Sequence, residues 1–92
     1  MEETLGLMHL GRARLAMALP RHREQLRSAK DDQLNDLFEK YALAAKTLDT
    51  LQRELPLRQE DRIHDFQQLC LDLQAEVVGV LDRLFARAVP GA

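Results

Sequence analysis

Two residue pairs in the C-terminal half have types and spacings that chemistry could use. Asp61 and His64 stand three apart in "EDRIHD", the interval at which a bundle helix presents a carboxylate and an imidazole to a di-metal centre. Such a centre needs a second acid-x-x-His, and neither His9 nor His22 has an acid three residues before it. The apolar line at this level runs through Ile63 and Phe66, so Asp61 and His64 read as the solvated start of a helix. Cys70 with His64 would pair a thiol with a base. Six helical residues turn them apart by about 240°, so within one chain they face different ways. Cys70 therefore reads as a structural residue inside an apolar run, where a reduced thiol behaves as a small hydrophobe. No Ser, His and acid grouping and no glycine-rich phosphate loop occurs. The expectation is a protein that is not an enzyme, with no catalytic residue, no metal and no cofactor.

The remaining polar signals concern binding. Residues 12 to 30 carry Arg12, Arg14, Arg21, Arg23, Arg27 and Lys30 against one acid, Glu24, a formal +5; residues 31 to 92 carry seven bases and twelve acids, a formal −5. Read as a contact surface, the basic segment would meet a polyanion or an acidic partner, and phosphate binding would be steeply salt dependent. Nucleic acid is the weaker form of that reading, because there is no aromatic stacking platform, no helix-turn-helix pattern, and the whole chain is at −2. The preferred reading is internal: a basic N-terminal helix docked on an acidic hairpin by complementary charge. Gln67 and Gln74, one heptad apart, are candidates for a hydrogen bond across a helix interface, with solvation at its rim as the commoner fate.

Helices must position all of these groups. Of 92 residues 46% are apolar, yet there are three Phe, one Tyr and no Trp, so the core is built of Leu, Val and Ala. Four glycines and three prolines supply too few turns for an all-β chain. From an N-cap at Asp31 or Asp32, the residues Leu34, Leu37, Tyr41, Ala44, Leu48, Leu51 and Leu55 alternate steps of three and four, flanked by Phe38 and Ala45. Pro56 ends that helix, predicted over about 32–55. A third helix, predicted over about 58–88, repeats the pattern with Ile63, Phe66, Cys70, Leu73, Val77, Val80 and Leu84. The short "LPLRQ" connection makes the pair an antiparallel hairpin. Upstream, Leu5, Met8, Leu15, Leu19, Leu26 and Ala29 keep heptad phase across Pro20, with Arg12 and His22 on seam positions. This predicts a kinked N-terminal helix over about 3–29: one piece to residue 18, a kink or short break, and a second piece from Pro20 to Ala29. The fold class is all-α in a single domain, either a three-helix bundle or a hairpin dimerising into a four-helix core with the N-terminal segment outside.

The closing helix carries a second apolar stripe, Leu71, Val78 and Phe85, with Leu81 and Ala88 between it and the seam. One partner helix cannot cover both stripes: either the N-terminal segment packs there as a third helix or a second protein chain does, because an uncovered surface of that extent exceeds what soluble monomers expose. Leu71, Val77, Val78, Val80, Leu81, Leu84 and Phe85 are thus the candidate protein interface. The expected function is a non-enzymatic protein-interaction module, adaptor or chaperone-like, self-associating as a homodimer or receiving a protein partner. The rival is a nucleic-acid-binding regulator using Arg12 to Lys30. Size and style are similar to those of small bacterial secretion and flagellar chaperones and adaptors, a likeness of architecture in which no family motif matches residue by residue. Acids precede the apolar stretch at the N-terminus, opposite to a signal peptide, and no apolar run approaches the roughly 18–20 residues of a membrane span. With one cysteine, the expected location is the cytoplasm, with no membrane partner.

Overall fold

A computed structural model describes residues 2–53 and 60–86. Four α-helices follow one another: α1 (Glu2–Ala18), α2 (Arg23–Ser28), α3 (Asp32–Arg53) and α4 (Glu60–Phe85), with a 3-10 turn at Pro20–His22 between the first two. No strand occurs among the described residues. The all-α bundle expected from the heptad seams is the fold. The expected stop at Pro56, the "LPLRQ" connection and the end near Ala88 lie outside the described residues.

The N-terminal break falls where proline requires it. The residue before a proline is driven out of helical angles, and Leu19 sits at φ −124°, ψ 67°. Its N–H donates the last bond of α1 to the Leu15 carbonyl at 2.7 Å, and its carbonyl accepts from His22 N–H at 2.9 Å. Pro20 occupies the first position of the new turn, where its missing N–H leaves nothing unpaired. Extended Ala29 (φ −68°, ψ 132°) ends α2. Asp31 caps α3, its carboxylate accepting the Leu34 N–H at 3.0 Å, a contribution of about 1 kcal/mol.

α3 is the helix on which the other long helices pack, α1 along one flank and α4 along another, while α2 folds back to touch α1 and α4. The α3–α4 pair is antiparallel: Gln33 meets Arg83 at one end and Tyr41 meets Gln74 in the middle. Most of the two seams is buried as the spacing requires, including Leu34, Leu37, Tyr41 and Ala44 of α3 and Cys70, Leu73, Val77 and Val80 of α4. Leu15, Leu26 and Ala29 belong to the same core. The N-terminal segment is therefore part of the bundle interior, which is the first of the two arrangements the sequence allowed, in place of a segment draped outside a dimeric hairpin.

Gly11 decides how closely α1 approaches. A Cβ at this position would collide with the Phe38 backbone carbonyl and lie 3.0 Å from the Phe38 Cα, whereas at Gly6 and Gly79 nothing stands within 4 Å. Beside it the Arg12 guanidinium lies over the Phe38 ring, 5.4 Å from its centroid, so the seam position that looked unsuited to a charge holds an arginine as a cation–π partner.

Alanine at Gly6 or Gly79 is expected to raise stability by about 1 kcal/mol each through helix propensity alone. Gly11→Ala is expected to lower it by about 1–3 kcal/mol despite the same gain, because backbone must shift to admit the methyl group. Chemical denaturation of the three variants checks the opposite signs.

Candidate functional site

The seven residues expected to form an interface divide sharply. Val77, Val80 and Leu81 are buried in the chain's own core, so they present no surface as long as the bundle is intact. Phe85 is half-buried and packs on that core, and Val78 is half-buried. Leu71 and Leu84 remain exposed, Leu71 by 56%. Of the two possible covers for the second stripe, the N-terminal segment supplies part: α2 reaches α4 and Leu81 is buried, while Leu71 stays exposed.

A further uncovered apolar surface, on none of those seven residues, lies between α3 and α4. Leu43 (47% exposed) and Leu69 (41% exposed) flank a shallow groove. Ala44, Thr47, Phe66 and Leu73 complete its lining, with Lys40 as the one charged side chain. No residue of α1 or α2 lines it. At about 290 Å³ it is at the lower edge of the roughly 300–1,000 Å³ of small-molecule sites, and its open form suits a row of side chains from another helix. Sequence reasoning missed Leu43 and Leu69 because neither lies on a heptad seam. The available signal was a leucine left over once each seam had been assigned.

The basic segment is also redistributed. Arg12, Arg23 and Arg27 come together with His9, Ala13, Ala16 and Met17 in the crook between α1 and α2. Arg14 instead lines a groove with Tyr41, Cys70, Leu71 and Gln74, while exposed Arg21 and Lys30 line neither. Among the described residues the one ion pair is Arg53–Asp49 at 3.1 Å, within α3 and largely solvated. The N-terminal segment is docked on the hairpin as expected, and among the described residues its direct contacts are apolar, with no ion pair between the two. The magnitudes agree: burying Leu15 and Leu26 contributes about 1.5–3 kcal/mol each, and an exposed ion pair about 0–1 kcal/mol.

Gln74 donates from Nε2 to the Tyr41 hydroxyl at 3.0 Å across the α3–α4 interface, satisfying the polar end of a buried ring. Gln67, its heptad neighbour, is exposed. Asp61 and His64 are exposed as well, and among the described residues no three His, Cys, Asp or Glu side chains gather as metal ligands. Burial pushes the Cys70 thiol above its ordinary range, and the nearby Arg14 charge opposes that only in part. The group is thus a protonated, buried thiol at neutral pH, without the thiolate that nucleophilic chemistry uses.

Comparison with protein-family models, characterised proteins and solved structures finds no match. No described helix is long and apolar enough to cross a membrane.

Cys70 is expected to react with iodoacetamide much more slowly in the folded chain than in denaturant at the same pH. The folded rate is expected to rise only at a more alkaline pH than the denatured rate, since the native thiol gives up its proton later. Mass spectrometry of the alkylated protein over a pH series checks both.

Proposed function

We propose that the chain is a non-enzymatic helical protein-interaction module, adaptor or chaperone-like, whose α3–α4 face takes up another amphipathic helical surface, in the first place that of a second copy. The single observation carrying this reading is the open groove between Leu43 and Leu69. It is lined by apolar side chains of two long antiparallel helices and left bare after α1 and α2 have closed other parts of the hairpin. Two such faces joined about a two-fold axis would make a four-helix core, in which each copy offers the same patch.

This is a different surface from the C-terminal stripe that the sequence suggested, and the two are separable by mutation. Leu43→Glu with Leu69→Glu places charges on exposed positions. It is expected to convert a dimer to a monomer while leaving helicity by circular dichroism unchanged. Val80→Asp places an unpaired carboxylate in the chain's own core and is expected to unfold it outright, at a cost of roughly 3 kcal/mol or more. Light scattering across concentration reads the mass. A wild-type protein that stays monomeric throughout would overturn self-association, and a double variant that stays dimeric would overturn the choice of groove.

A further inference from the structure

We infer that the crook between α1 and α2 is a second docking surface, independent of the α3–α4 groove, and that its occupant is an acidic amphipathic helix from a partner protein. The elbow at Leu19 and Pro20 turns α2 back so that Arg23 and Arg27, one turn apart on α2, face His9 and Arg12, one turn apart on α1. Distant parts of one basic stretch thus come to border a single hollow of about 340 Å³. No carboxylate lines it, and none of its arginines has an ion-pair partner among the described residues. Arg12 is held over the Phe38 ring, and its Nε is buried with no hydrogen-bond partner. A charge already fixed in place loses little freedom when it meets an anion.

The floor selects the class of partner. Ala13, Ala16 and Met17 supply no hydrogen-bond donor from their side chains and no aromatic face, and Met17 is 79% exposed. A nucleic-acid strand finds charge here, but no ring on which to stack a base. A helix with carboxylates one turn apart places them about 6 Å apart along its axis, matching Arg23 and Arg27, while an apolar side chain on the same face enters the hollow over Met17. Exposed methionine suits such a role because its unbranched, polarisable chain adapts to differently shaped apolar groups.

The test uses the full chain and a fluorescein-labelled amphipathic peptide of about 16 residues, with glutamates one helical turn apart beside a row of leucines. Fluorescence anisotropy is expected to show binding that weakens roughly three- to tenfold in the Arg23→Gln, Arg27→Gln double variant and in about 0.5 M NaCl. Both arginines are exposed, so circular dichroism is expected to be unchanged. Met17→Glu is expected to weaken binding likewise, and a peptide with glutamine for every glutamate is expected not to bind. The inference is overturned by no binding at all, by equal binding of the glutamine peptide, or by an unaffected double variant. Tighter binding of single-stranded DNA of matched charge would assign the crook to nucleic acid instead. Loss of a wild-type dimer in the double variant would make the occupant a second copy, and would likewise overturn it.

Discussion

Helix α3 has to bury more of its circumference than one neighbour can cover, and the close approach of α1 at Gly11 is what makes that feasible. Leu34, Leu37 and Tyr41 belong to the seam shared with α4, and Phe38, on the flank beside it, is fully buried. With a side chain at position 11, α1 would have to stand off the Phe38 backbone. With glycine there, the helix lies against α3, Leu15 reaches the common core, and the arginine that follows finds the ring face. Close packing at this one crossing positions the elbow, and the elbow brings Leu26 and Ala29 in to complete the core beside α4.

From that crossing follows the asymmetry of the molecule. The N-terminal segment adds its leucines to the hairpin core, while the face of α3 and α4 that carries Leu43 and Leu69 receives nothing from it. A monomer with one such patch is within the range of soluble proteins, so the groove is a choice the fold leaves open and not a defect in it. Cohesion inside the chain comes from the buried leucines, valines and Phe38, with Tyr41 and Gln74 adding one satisfied polar contact across the interface.

Charge has a different part from the one its distribution suggests. The basic and acidic portions of the chain, formally +5 and −5, do not pair with each other within ion-pair distance among the described residues. Most of these side chains stay exposed, Arg12 and Arg14 being half-buried, and pairing long side chains at a surface gains little. Segregated charge that is not consumed internally remains available to bias encounters with other molecules. In this chain the elbow gathers part of it around an apolar floor.

The one-dimensional pattern determined a great deal: the helical class, the antiparallel hairpin, a cap at Asp31 or Asp32, an interruption at Pro20, and the burial of most of both heptad seams. Each of these follows from rules acting within a few residues, the rotation of about 100° per residue and the angles that proline denies to its neighbour. Coverage is of another kind. Val77, Val80 and Leu81 looked like surface to spare, Leu43 and Leu69 lay off the seams, and Arg12, Arg23 and Arg27 were indistinguishable from Arg14, Arg21 and Lys30. Only the tertiary structure separated them, because whether a helix face is hidden depends on where a distant helix comes to rest. That resting place is set by the contact of two surfaces, here Gly11 on Phe38, about which the spacing within either segment carries no information.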